Sequence, residues 1–374
     1  MNALRFPRSS AVMGEGAHSE EVAHFGNPLR EQRLLTMRRA VADLSAIRVL
    51  TLTGPDALTW LNSLTTQKVD TLAAGASTET LVLSPTGHIE HWLRVLNDGE
   101  RLWLLTDGDA EAAAAFLESM KFMMRVELTD VSADHQCVGV LGELPASLPA
   151  VVTWDDPWPN IGEGSASYAL VDAGMPVASP EHPGSEYDFR IAVCRRDALQ
   201  SWDPAAADRE VAGRDAWEAL RVAAWRPSVA EVDHKALVGE LDALRTAVHL
   251  AKGCYRGQEA VARIHNLGQP PRRLVFLHLD GSGHMLPQAG AEVHAEQRGS
   301  VRPVGQLTSV AMHHELGPIA LALVKRTLDE GVEVLVDVAG EERITAAPET
   351  IVVTKRENRT GLPPRNPDAD QRRR

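Results

Sequence analysis

Lys252-Gly253-Cys254-Tyr255-Arg256-Gly257-Gln258-Glu259 runs directly into Ala260-Val261-Ala262-Arg263-Ile264. Two glycines in the octapeptide permit positive φ angles and close backbone approach. Ala260, Val261 and Ile264 then recur at helical spacing. The pattern predicts a tight turn feeding a helix, with Cys254 just before the helix start and between the cations Lys252 and Arg256. A helix N-terminus and neighbouring cations each stabilise a thiolate, so Cys254 has a physical case for reactivity. The other reading is a packed, inert cysteine, because a free cysteine commonly behaves as a small apolar side chain. Both readings stand at this point.

Downstream of this segment helical periodicity disappears. Leu274–Leu279, Ala291–Ala295, Val304–Val310, Ile319–Val324, Glu333–Val338 and Thr350–Val353 read as short strands between Gly- or Pro-bearing turns. That rhythm predicts a small antiparallel barrel. Upstream, Ile47–Thr53 reads as a strand, and Gly54-Pro55-Asp56 opens a helix striped by Leu58, Trp60, Leu61 and Leu64. Thr80–Ser84 and His88–Leu96 flank Pro85-Thr86-Gly87 as a hairpin, Arg101–Thr106 follows, Asp109–Met123 reads as a helix, and Arg125–Val131 returns as a strand. Gln136–Leu141, Ser167–Val171 and Tyr187–Val193 read as further strands, with Arg195–Trp202 and Arg214–Trp225 as helices. The fold class expected is therefore α+β, with two mixed modules and a C-terminal antiparallel β-barrel. The expected boundaries are a mobile arm 1–30, a first module 31–135, a second module 136–270 containing the octapeptide, the barrel 271–355 and a disordered tail 356–374.

The chain has 374 residues, with 51 acidic and 38 basic side chains and a formal net charge of −13. A surface of that sign repels phosphate backbones and disfavours strong direct nucleic-acid binding. Eight tryptophans are spread without a basic rhythm, unlike a single-strand platform. Cys137, Cys194 and Cys254 are odd in number and contain no C-x-x-C pair, which fits a reducing, cytoplasmic setting and encodes neither a zinc knuckle nor a four-cysteine cluster. His313-His314-Glu315 is a poor chelator, since adjacent residues on a strand point to opposite faces. No metal ligand is assigned. The first residues do not read as a signal peptide, and no apolar run nears the ~18 residues of a spanning helix, so no membrane partner is expected.

The octapeptide resembles the K-G-C-Y-x-G-Q-E signature of the YgfZ family of folate-binding proteins, with Arg256 at the variable position. Val261-Ala262-Arg263-Ile264-His265 and Pro270-Pro271-Arg272-Arg273-Leu274 extend the likeness. Gly54-Pro55-Asp56-Ala57 with Trp60-Leu61-Asn62 is similar to the family's first-domain helix. Val304–Ser309 and Ile319–Ala322 are similar to the barrel shared with aminomethyltransferases of glycine cleavage. The resemblance implies a three-domain ring around a central channel that holds tetrahydrofolate or another reduced folate. It also implies a role in assembling or repairing iron–sulfur proteins, and through them an indirect effect on tRNA thiomethylation. Iron–sulfur client or assembly proteins are then the implied partners. The signature residues Cys254 and Lys252 are implied as the functional pair. Arg221, Tyr255, Gly257, Gln258 and Glu259 are candidates for folate contact, Arg221 towards the glutamate tail.

Two departures narrow this expectation. Where aminomethyltransferases read T-x-D-V, this chain reads Thr66-Gln67-Lys68-Val69. Lys68 reverses the charge, and a cation cannot stabilise a developing positive centre. Leu220-Arg221-Val222-Ala223-Ala224-Trp225-Arg226-Pro227 is similar to the family's L-R-I-E-A-G-x-P, with Ala223 for Glu and Trp225 for Gly. The function expected is a folate-binding protein supporting iron–sulfur enzymes. The alternatives are an aminomethyltransferase transferring a one-carbon unit to tetrahydrofolate, and a non-catalytic folate-binding scaffold. Whether the chain is an enzyme stays open; if so, the class is a tetrahydrofolate-dependent transferase.

Overall fold

The computed structural model describes residues 10–169, 182–283, 285–297, 299–339 and 342–353. Its helices are α1 (Pro28–Thr36), α2 (Ala57–Leu64), α3 (Ala110–Ser119), α4 (Arg196–Ser201), α5 (Arg214–Ala223) and α6 (Gln258–Leu267). No helix among the described residues is long and apolar enough to cross a membrane.

The first module is a five-stranded antiparallel sheet in the order Ser77–Leu83, Ile89–Asn97, Leu102–Thr106, Arg48–Thr53, Glu127–Asp130. Leu50, Leu52, Leu93, Val95 and Leu104 bury one face of it with Trp60, Leu61 and Leu64 of α2 and Leu117 of α3. The helix expected to reach Met123 stops at Ser119. Met120 to Arg125 instead form a turn braced by Trp60 Nε1 donating to the Met120 carbonyl and by Arg125 paired with Asp56.

The second sheet runs Ala150–Asp155, Phe189–Arg195, His135–Leu141, Ala40–Asp43, Glu210–Ala212. Its last pair is parallel. Ala40–Asp43, expected in the first module, pairs here because all four of its residues are buried, as an interior strand requires. Residues 10–30, expected as a mobile arm, are folded. Val12–Met13 and Val22–His24 form a short hairpin, Val22 and Ala23 are buried, and Asn27 caps α1 through its side chain. Ser167 to Ala169 make no strand beyond one bridge from Ala169 to Val352. The rest of that expected strand, and the tail from 356, lie outside the described residues.

The barrel is closed, in the order Arg272–Leu279, Gly317–Lys325, Ser300–His313, Glu292–Gln297, Val334–Asp337, Arg343–Thr350. Its last strand ends at Thr350. Ile351 to Val353, read from sequence as a strand, are buried against Tyr168 and Ala169 instead, with Val353 N donating to the Tyr168 carbonyl.

One apolar cluster joins all three parts. Leu81 and Trp92 from the first sheet, Val222 of α5, Leu241 and Leu244, and Leu274, Phe276 and Leu321 of the barrel pack together. Residues 226–257 thread this junction with little regular structure. A buried irregular backbone must satisfy its polar groups elsewhere. Ile89 N donates to Ala236 O, Thr66 Oγ1 to Ala247 O, and Gln67 Nε2 to Thr246 O. That threading fixes where the octapeptide emerges.

Candidate functional site

Gly257 is the residue before α6, and its φ of +83° lies in the left-handed region. A Cβ there would stand 2.6 Å from the Ser84 carbonyl oxygen. Both facts require glycine, and both seat the octapeptide on the Ser84–Gly87 hairpin of the first module.

Lys252 is buried and reaches further into that module. Its Nζ donates to the carbonyl oxygens of Asn62 and Thr65, each at 2.6 Å, and of Gln67 at 2.8 Å. These carbonyls lie at and just beyond the end of α2, where a helix leaves acceptors unpaired and carries partial negative charge. Burial pulls the Lys252 ammonium down to about 8, with Lys68 adding to the fall and Asp70 opposing it. Lys68, the charge-reversing departure, is itself paired with Asp70 at 3.0 Å.

Arg256 is bound to Glu90 at 2.6 Å and lies over the Phe116 ring at 5.2 Å. The two cations flanking Cys254 in sequence are thus each engaged with the first module. Cys254 itself is exposed, which removes the buried, inert reading of this thiol. Cys137 and Cys194 are buried in the second sheet, and burial pushes both thiols up to about 12. Tyr255 is buried beside Lys252, whose Nζ is 5.4 Å from its ring. Gln258 Nε2 donates back to the carbonyls of Lys252 and Gly253, bracing the turn, and Glu259 is exposed in the first turn of α6.

Arg221 departs from its expected surroundings. Its guanidinium is buried at the junction, donating to Glu218 at 2.7 Å, Glu231 at 3.0 Å, Ser309 Oγ at 2.7 Å and the Arg226 carbonyl at 2.6 Å. Two carboxylates consume its charge, so this side chain ties α5 to the barrel and has no charge left over for a ligand's carboxylate. Trp225, standing for the family glycine, keeps a glycine's conformation at φ +56° and packs near Phe276 and His182.

Sequence reading missed a second buried network. Arg226 holds Glu79 at 2.7 Å and Asp156 at 3.1 Å, and lies between the rings of Trp92 and Trp158. Trp92 Nε1 and Thr246 Oγ1 also donate to Glu79. Asp156 and Glu79 lie 70 and 147 residues before Arg226 in sequence, and Arg226 within the L-R-x-x-x-x-R-P stretch was the one local signal.

Beside α5, where the N-terminal hairpin faces the barrel, lies a cavity of about 580 Å³. Arg214 and Glu218 line it, together with Thr308 and Ser309 of the barrel. A smaller hollow of about 110 Å³ shares Arg214 and Glu218 and reaches Asp107 of the first module. Burial pushes the Glu218 carboxyl up, but the Arg221 charge and hydrogen bonds outweigh it and hold it below its ordinary value. Arg214 meets Glu21 at 3.3 Å and Asp215 at 3.8 Å, looser contacts than those of Arg221.

Residues 5–156 match the family described as the GCVT N-terminal domain, and residues 272–352 match the glycine cleavage T-protein C-terminal barrel domain. A chloroplastic protein of Arabidopsis thaliana, named as a transferase, is 24% identical over 284 residues, covering 72% of this chain and 61% of that protein. The tRNA-modifying protein YgfZ of Klebsiella pneumoniae is 25% identical over 179 residues, covering 42% of this chain and 54% of that protein. Its Escherichia coli counterpart is 27% identical over 146 residues, covering 38% and 43%. The matches thus span less than two thirds of the length of each of these relatives. The aminomethyltransferase of the glycine cleavage system of Bartonella henselae superposes with a TM-score of 0.67 at 18% identity, over 92% of this chain and 94% of that one, which is a likeness of fold. The two family models cover both ends of the T-protein architecture: the chain belongs to the glycine cleavage T-protein family and counts YgfZ proteins among its relatives.

Proposed function

We propose that this protein binds a reduced folate beside α5, between the N-terminal hairpin and the barrel, and supports the assembly or repair of iron–sulfur enzymes through Cys254. The observation that carries the folate reading is the cavity of about 580 Å³ beside α5. Its volume falls in the usual range for small-molecule sites, ~300–1,000 Å³. Glu218 stands on the wall the two hollows share; Arg221 is one cation against the two carboxylates of Glu218 and Glu231, so the cluster keeps negative charge to accept the N–H donors of a pterin edge. Arg214, one helical turn before Glu218 on the same walls, is the cation beside that end of the ligand in place of Arg221. Tetrahydrofolate would supply a one-carbon carrier there. This chain's own residues would bind and orient it.

The iron–sulfur role rests on the resemblance of the octapeptide to the YgfZ signature and on an exposed thiol held in a rigid turn. Lys252 and Arg256 pin that turn from both sides, so Cys254 is presented at a fixed place on the surface. Lys68 in place of the family aspartate supports this reading over amine chemistry of the glycine-cleavage kind. The experiment is replacement of the cellular copy by Cys254→Ser. Iron–sulfur enzyme activities should fall while the fold and folate binding persist, because a serine hydroxyl does not ionise at neutral pH. Full support of those enzymes by the serine variant would leave the scaffold reading in place.

A further inference from the structure

On the barrel, two carboxylates and an imidazole converge. Glu292 and His294 share one face of the strand Glu292–Gln297, since residues two apart point the same way. The adjacent strand Val334–Asp337 ends at Asp337. The register pairs His294 with Leu335 and Val293 with Val336, so the next step of the antiparallel ladder sets Glu292 across from Asp337. Like charges directly opposite repel unless something lies between them. His294 Nε2 is 3.0 Å from Asp337 Oδ2 and 3.6 Å from Glu292 Oε2, and the three ligand atoms lie within 4.8 Å of one another. Arg343 Nε donates to the other oxygen of Asp337 at 2.8 Å, which fixes that carboxylate with Oδ2 towards His294.

These spacings suit a small ion. Zinc bonds of about 2.0–2.1 Å in a tetrahedral shell put ligand atoms about 3.3 Å apart, between the two separations from His294. One nitrogen with two carboxylate oxygens suits zinc, cobalt or nickel, whereas calcium and magnesium take oxygen alone. The imidazole is buried while both carboxylates are open to solvent, which leaves room for water to complete the shell.

We propose that Glu292, His294 and Asp337 bind one divalent ion of the zinc class, and that this ion staples the two strands together. Among the described residues the seam between these strands carries two register pairs, fewer than any other seam of the barrel. A cross-strand ion would add a tie where the ladder is shortest. The cysteine spacing that excluded a thiolate zinc site does not bear on a nitrogen and oxygen set, and His294 and Asp337 are 43 residues apart, so no local motif announces them.

The test is zinc titration of the chelator-treated full chain by calorimetry, with thermal melting in parallel. The wild type and Cys254→Ser should each take up one equivalent and melt at higher temperature when loaded, since an ion that binds the folded state alone stabilises it. His294→Ala should lose both effects, and the exposed Glu292→Gln should bind at least tenfold more weakly without losing its fold. Cobalt should give visible bands without a thiolate charge-transfer band. Uptake that disappears in Cys254→Ser but persists in His294→Ala would overturn the proposal, as would no zinc-dependent rise in melting temperature in the wild type.

Discussion

Lys252 Nζ lies 2.6 Å from the carbonyl oxygen of Thr65, so the lysine of the octapeptide closes the end of a helix in another module. Asn62 and Gln67 supply the other two acceptors. An ammonium has three donors and no acceptor, and here all three are used. The signature is therefore a latch between the second and first modules as much as a display for Cys254.

Lys252→Met should remove the latch at nearly constant side-chain length. Buried carbonyls left without a donor cost about 1–3 kcal/mol. The urea midpoint should fall accordingly, while Cys254→Ser, two residues away and exposed, leaves it within error.

Alkylation of the native protein at pH 8 should label Cys254 alone, and unfolding in urea should release Cys137 and Cys194. Burial pushes the buried pair up to about 12, whereas the same thiols in the unfolded chain ionise near ~8.5. A raised folded value means that the folded state holds these protons longer. Stability from this pair is then full below about pH 8.5 and declines as pH rises towards 12. Denaturant midpoints measured from pH 8 to pH 11 on the cysteine-free and wild-type chains check the sign.

Trp225→Gly should restore the family residue and still destabilise the protein. Relief of the left-handed conformation returns about 1–2 kcal/mol. Loss of a buried tryptophan from the junction cluster costs about 3–5 kcal/mol, which wins. Thermal melting of the variant should show the net loss.

The barrel, both mixed modules and the seat of the octapeptide on a turn before a helix were legible because each rests on local periodicity or glycine placement. Ala40–Asp43 was assigned to the wrong module because four buried residues carry no alternation to say which sheet they join. Residues 10–30 looked like an arm because their burial comes from α5 and the second sheet, which lie far along the chain. At the site, sequence adjacency placed Lys252 and Arg256 beside Cys254, yet both side chains turn to the first module, where Thr65 and Glu90 wait. Arg221 was recognisable by motif, but its carboxylate partner Glu231 and Ser309 of the barrel meet it only in the fold.

The most direct test is calorimetric titration of tetrahydrofolate into the anaerobically purified protein, with Glu218→Gln and Arg214→Ala alongside. The account predicts saturable binding at one site, with each variant weakened about tenfold or more and folded as judged by melting. Glu218→Gln should weaken the pterin end through loss of a charged acceptor, worth about 1.5–3 kcal/mol. No binding by the wild type at millimolar folate, or binding untouched by both variants, would contradict it.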